Sequence, residues 1–561
     1  MRKILSGRVL RLVIGVFYLF TFLPLSAQPS WVKKASKSVV MVKTFTADGT
    51  LLGSACGFYV TNDGVVLSSF APFKGAQRAV VIDAGGKELP VEYILGANET
   101  YDVAKFRVTK SKTQPLTVST TKLAVDEKAW LLPYLDQKTV QGEVTKAETF
   151  SGDYAYYTLT LKMTDQMVGA PLMNEQGQVV GLMQQPGGDA TQSYAVSAVF
   201  ADSLKLNGLS INDPTLRSIA IKKALPDDVD QALLTLYMGG QSQDSLSYVQ
   251  LIEDFIQKFP NHPDGYTYRA QLLADGLRFA DADRDMQKAL KVAEHPDEVH
   301  YAYSRLMLQK VVFLPEEPYD AWTFDRAFDE AGEAYRQNPL PAYRQQQAAV
   351  RYMQKNYDEA YSIYESLFSS SLRSAELFYT ASLCKQQLKD TTAQLALMDS
   401  CVAQFNKPYL KEAAPYLLGR AQLLMDMGRY RQAVTDLNDY ESLMAAQVNS
   451  NFYYMRYRAE VEGRLYQQAL NDIEKAITMT PQSDLYYSEK AALLVRVGYY
   501  DDAIETAKTC IQLAPDHSDG YLFMGLAQCL KGEKAEGVKN LQKAKELGDA
   551  QADDLIEKYS K

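Results

Sequence analysis

Proton transfer near neutral pH falls most readily to histidine, and this 561-residue chain has four: His262, His295, His300 and His517. None lies in residues 28–261, so a serine or cysteine nucleophile in that span has no imidazole beside it in sequence to take its proton. Ser68, Ser69, Thr164 and Cys56 are the hydroxyls and thiol worth weighing there, and each suits strand packing or turn capping better than catalysis. Asp102 reads as a carboxylate satisfied by backbone donors. Metal chemistry has no foothold: there is no H-E-x-x-H, no C-x-x-C, and Cys56, Cys384, Cys401, Cys510 and Cys529 are spread thinly. Buried free thiols are the expectation, with Cys384/Cys401 and Cys510/Cys529 as the spacings that would allow pairing. Asp83-Ala84-Gly85-Gly86 reads as a hairpin turn rather than a phosphate loop. No metal and no cofactor is expected.

The elements that must carry these residues change character along the chain. Arg2, Lys3, Arg8 and Arg11 precede an apolar run at 12–25 and then Ser26 and Ala27, the order of a secretory signal cut after Ala27. The run is short of the ~20 residues of a spanning helix. The mature chain is therefore expected to be exported and not membrane-spanning, in the periplasm, the envelope or outside a bacterium. Residues 28–205 alternate with period two, and eleven short strands are expected: 38–45, 57–60, 64–70, 79–83, 91–95, 103–108, 129–135, 140–149, 154–163, 179–184 and 194–199. Turn signals, Pro186-Gly187-Gly188 among them, separate them. That pattern predicts an all-β barrel or sandwich. Residues 206–228 read as a linker or helix, and residues 229–561 follow a 3.6 period.

Charge is uneven. Residues 1–27 hold four basic side chains and no acidic ones, residues 28–205 hold 17 of each, and the remaining −13 of a net −9 falls on residues 206–561. An acidic C-terminal two-thirds argues against a phosphate-neutralising nucleic-acid binder.

In the helical part a small residue recurs at Ala282, Ala327, Ala360, Ala393, Ala433, Ala469, Ala503 and Gly537, with closing prolines at Pro260, Pro296, Pro339, Pro481 and Pro515. Gly428-Arg429-Tyr430 and Gly498-Tyr499-Tyr500 stand just upstream of two of the alanines. The pattern resembles the tetratricopeptide repeat family, most closely from Leu485 through Ala503 to Pro515. Alanine then sits where the two helices of a unit cross most closely, and proline ends the second helix. Nine units over 229–548 are expected, with insertions near 297–320 and 402–415 and a polar cap at 549–561.

The β part carries a second resemblance, to trypsin-like serine proteases of the bacterial periplasmic type. It rests on Gly57-Phe58-Tyr59-Val60-Thr61-Asn62-Asp63-Gly64-Val65-Val66-Leu67, on Tyr101-Asp102-Val103-Ala104, on Gly169-Ala170-Pro171-Leu172 with the hairpin after it, and on Ser193-Tyr194-Ala195-Val196-Ser197. The resemblance implies a double barrel, and with the repeats a multidomain chain: an all-β trypsin-like double barrel followed by an all-α solenoid. It also implies where a catalytic triad would stand. The base falls on Ala71 and the nucleophile on Val168; only the orienting Asp102 keeps its type. Gln166 replaces a glycine whose backbone helps form the oxyanion hole, within Gln166-Met167-Val168-Gly169. A methyl group accepts no proton and an isopropyl group has no lone pair to attack with, so the domain is expected to be a pseudoprotease.

Function is then expected from surfaces. The leading expectation is an exported non-catalytic scaffold that binds a peptide or envelope protein, a basic one by charge, along the repeats. Residual or unconventional serine peptidase activity and regulation of a partner protease are the alternatives. Tyr352, Tyr416, Tyr454, Tyr457 and Tyr487 are the candidate anchors, since tyrosine buries area and keeps a polar handle.

Overall fold

The computed structural model describes residues 28–110, 112–136, 138–185, 192–242 and 244–560. The expected signal segment and the Pro186-Gly187-Gly188 turn lie outside these residues. The chain divides into two compact units between Tyr268 and Arg269.

Among the described residues, twelve strands build the barrels of the first unit. β1 (Val39–Phe45), β2 (Leu51–Tyr59), β3 (Val65–Ser68), β4 (Arg78–Ile82), β5 (Glu88–Asn98) and β6 (Val103–Val108) close one antiparallel barrel in the order β1-β2-β3-β6-β5-β4. β7 (Lys128–Leu131), β8 (Val140–Phe150), β9 (Tyr154–Leu159), β10 (Pro171–Met173), β11 (Val179–Met183) and β12 (Ser193–Ser197) close a second, and its order, β7-β8-β9-β12-β11-β10, repeats the first. The period-two pattern works because alternate residues fill each barrel. Val40, Val42, Val81 and Phe106 fill the first; Leu131, Val144, Leu159 and Leu172 fill the second, and all are buried. β10 was not among the expected strands, being three residues long and opened by a proline.

The segment 206–228, read from sequence as a linker or helix, is stitched onto the first barrel. Only Pro214–Arg217 is an α-helix, capped by the Asp213 carboxylate on the Leu216 N–H at 3.1 Å. Bulges in β5 between Val91/Tyr93 and Ile94/Gly96 leave the backbone of Ile94 free to pair outward. Its N–H donates to Lys222 O at 2.8 Å, and its carbonyl accepts from Ala224 N at 3.0 Å. Gly75 N–H donates to Ser218 O, and Ala220 N–H to Ala76 O. Leu216, Ile219 and Ile221 join the first barrel's apolar cluster.

Among the described residues, nine consecutive helix pairs run from Val229–Ser242 to Lys534–Glu546, and a single helix, Ala552–Tyr559, follows. Ala282, Ala327, Ala360, Ala433, Ala469 and Ala503 are fully buried. At Gly537 even a methyl would be too large: a Cβ there would lie 2.4 Å from Cys529 Sγ and 2.7 Å from Gly525 O. Pro296 corrects one expectation. It is the first residue of the helix Pro296–Phe313, where its missing N–H costs nothing, and it closes no helix. That 18-residue helix and the long connection from Phe313 to Phe324 together account for the long spacing between Ala282 and Ala327. All five cysteines are buried and free.

Candidate functional site

Three segments of the first unit meet at the expected triad positions: the end of β3 with the turn after it, the residue before β6, and the loop before β10. Asp102 occupies the left-handed region at φ 48°, tolerable for an aspartate. Both carboxylate oxygens are engaged. Oδ2 accepts from Ser69 Oγ at 2.6 Å, and Oδ1 accepts from the Ala71 N–H at 2.7 Å. Burial pushes the Asp102 carboxyl above its ordinary value, against the hydrogen bonds from Ser69, Ala71 and Phe70. Its nearest donors are thus neutral.

Ala71 lies at the surface in the 3-10 turn Ala71–Phe73. Val168 is 4 % exposed, and its carbonyl accepts from the Cys56 N–H at 2.7 Å. Ahead of it, Asp165–Met167 form a 3-10 turn that closes with the Val168 N–H donating to Asp165 O at 3.3 Å. In a serine protease the N–H at the nucleophile position is an oxyanion donor; the Val168 N–H is instead turned onto its own chain. The glycine that the backbone cannot replace is Gly169, not residue 166. Gly169 has φ +79°, and a Cβ there would lie 2.2 Å from Cys56 O. Gln166 is accommodated in the turn, with its carbonyl accepting from Cys56 Sγ at 3.2 Å. The Cys56 thiol itself is pushed up to about 11 by burial, so it is a packing group rather than a thiolate.

Residues 54–182 match the family model described as trypsin-like peptidase domain. The chain joins a trypsin-like domain to tetratricopeptide repeats. Among solved structures, the trypsin-like domain is similar to the Rv3671c protease from M. tuberculosis in its active form, at 18 % identity and TM-score 0.29, covering 40 % of this chain and 96 % of that one. It is also similar to a serine endoprotease from Yersinia pestis, at 15 % identity and TM-score 0.27, covering 33 % of this chain and 65 % of that one.

Among curated proteins, similarity is to small glutamine-rich tetratricopeptide repeat-containing protein 2 of Saccharomyces cerevisiae, 28 % identical over 82 residues, 15 % of this chain and 24 % of that protein. The protein of the same name in Mycosarcoma maydis is 33 % identical over 82 residues, 15 % of this chain and 23 % of that protein. The wheat Hsp70-Hsp90 organizing protein is 28 % identical over 78 residues, 14 % of this chain and 13 % of that protein. The chain thus spans about a quarter of the length of the first two.

Four of the five candidate tyrosines fall on two apolar clusters of the repeats, and Tyr487 lies on neither. Tyr352 and Tyr416 pack against the cluster of Ala360, Phe378 and Cys384, and Tyr454 and Tyr457 belong to the cluster of Leu424, Tyr453 and Ile473. Tyr457 is a correction. It is 2 % exposed, and its hydroxyl donates to Glu489 O at 2.9 Å, so it cements two repeats and has no face to offer a partner. Tyr454 stacks on it at 5.9 Å and donates to Glu489 Oε1. Tyr416 donates to Glu376 Oε2 at 2.8 Å. Tyr352, Tyr416, Tyr454 and Tyr487 remain partly exposed.

Sequence reading missed a recurring ion pair. Arg269, Arg420 and Arg456 each grip an aspartate 16 residues downstream through two nitrogens: Asp285 at 2.7 and 2.8 Å, Asp436 at 2.8 and 2.7 Å, and Asp472 at 2.6 and 3.0 Å. Each aspartate stands three residues after its anchor alanine, Ala282, Ala433 or Ala469, and that spacing was the available signal. His300 likewise faces Glu330, three residues after Ala327, at 2.6 Å and half-buried.

Proposed function

We propose that the chain is an exported binding protein without peptidase activity, which holds a peptide or protein partner through its repeats and keeps the trypsin-like domain as a second binding module. The observation that carries this is the pairing of Val168, buried with its N–H committed to Asp165 O, with Ala71 at the position of the base. Neither side chain can take or give a proton, and the residues around them already satisfy Asp102. The acidic balance of residues 206–561 favours a basic partner steered by charge, with partly exposed tyrosines such as Tyr352 and Tyr487 adding contact area.

The test is twofold. Purified protein incubated with casein and with a fluorophosphonate probe is expected to give neither cleavage nor labelling; hydrolysis that is lost on probe treatment would overturn the reading. Capture from a native envelope fraction is expected to bring down a partner whose association slows as salt passes ~0.1 M, where the Debye length is about 10 Å.

A further inference from the structure

A cavity of about 640 Å³ opens between the connecting segment and the helices Val229–Ser242 and Ser245–Lys258, all within the first unit. That is the size of a small-molecule site. Its wall is mixed. Leu206, Ile211 and Leu251 give it an apolar side, and Leu246, 83 % exposed, stands at its edge. The acid in the wall, Asp254, is already held by Lys222 at 2.6 Å. Two cations in the same wall are not so held. Lys223 donates only to the Ile219 carbonyl, and among the described residues neither it nor Arg217 makes an ion pair. Burial lowers the Lys223 ammonium to about 8, so the folded chain carries a partly desolvated cation that lacks its counter-charge.

We propose that this cavity binds a small, largely apolar carboxylate, with the charged end at Lys223 and Arg217 and the hydrocarbon against Leu206, Ile211, Leu246 and Leu251. The anion supplies the ion pair the wall omits, and a charge-assisted contact away from bulk water is stronger than one at the surface. The apolar part contributes through area removed from water. Free amphiphiles and the C-terminal end of an apolar peptide share this chemistry.

The test is calorimetric titration of the full mature chain with sodium octanoate, with octanamide, and with Ala-Ala-Leu-Leu bearing a free or an amidated C-terminus. At least one free carboxylate is expected to bind, its neutral amide about tenfold or more weaker. Lys223→Gln is expected to remove that preference and Lys223→Arg to retain it. Leu246→Glu, a change at an exposed position that leaves Lys223 in place, is expected to weaken both ligands, the carboxylate more than its amide. Binding by octanoate assigns the site to free amphiphiles; binding by the peptide alone assigns it to chain ends. Absence of binding by either carboxylate, or equal affinity for acid and amide, would overturn the proposal.

Discussion

In the barrel unit the carboxylate of Asp102 rests against a hydroxyl and a backbone N–H; in the repeats the carboxylates of Asp285, Asp436 and Asp472 each grip an arginine on the preceding helix. Both settings are largely buried, yet they solve the cost of burying charge in different ways. Neutral donors leave Asp102 with burial as the dominant influence, and its carboxyl sits high. A bidentate guanidinium matches a carboxylate in shape and charge, so the repeats carry pairs that fix how one helix lies on the next. Such pairs add little over an apolar replacement of both partners, but removing one partner strands the other. The comparison separates a carboxylate held by neutral donors from carboxylates used as cross-links.

The sharpest way to break the comparison is Arg456→Ala. Arg456 is 3 % exposed and serves Asp472 and Glu441 together, so its loss is expected to cost about 3–5 kcal/mol. Hydrogen exchange in Ser450–Glu462 and Tyr466–Met479 reads the effect. Lys490→Ala, which frees a surface Glu474, is the control, at no more than about 1 kcal/mol. Equal effects would mean that the buried pairs are incidental.

Glu460 gives the next largest effect. It is 2 % exposed, 3.9 Å from an Arg456 already claimed by two other acids, and burial raises it to about 8. The native chain keeps a proton that the unfolded chain, with an ordinary value near 4.5, releases. Stability is therefore expected to fall as pH rises from about 4.5 to 8 and then to flatten, by on the order of a few kcal/mol. Glu460→Gln should abolish that slope in denaturant titrations run across this range; a slope that survives the substitution would place the proton elsewhere.

Ser69→Ala removes the one side-chain donor among the groups on Asp102 and is expected to cost about 1–2 kcal/mol in barrel stability, by denaturation followed through Trp130 fluorescence. The smallest effect is the most informative about the trypsin-like domain. Ala71→His with Val168→Ser is expected to yield no measurable hydrolysis of casein, because the Val168 N–H is spent on Asp165 O. Strong hydrolysis would show a site complete but for two side chains.

Much of this architecture was legible in residue order. Period-two alternation marked eleven of twelve strands, and the missed one, β10, is too short and Pro-led to show a period. The alanines marked most helix crossings because a small side chain fits where backbones approach; Ala393 is the exception, being half-buried, with Gln394 at the equivalent buried position. Other features were hidden for physical reasons. Periodicity places Tyr454 and Tyr457 on neighbouring faces but does not say which face the next repeat covers, and Glu489 decides it. The attachment of 206–228 to the barrel is made largely by backbone hydrogen bonds, which leave no trace in side-chain type. At the candidate site, the identities of Ala71 and Val168 were plain in sequence, but the inward turn of the Val168 N–H and the indispensable Gly169 needed coordinates.

The backbone pairing of Ile94 with Lys222 and Ala224 has a consequence for the order in which the chain can fold during synthesis. The first barrel's strands emerge first, but the segment that supplies Leu216, Ile219 and Ile221 to its apolar cluster follows every strand of the second. A nascent chain stopped near residue 205 holds an unfinished first barrel, with the outward backbone groups of Ile94 unpaired and apolar surface uncovered. The first barrel, though made before the second, is thus completed only after it, when the segment carrying Leu216, Ile219 and Ile221 arrives.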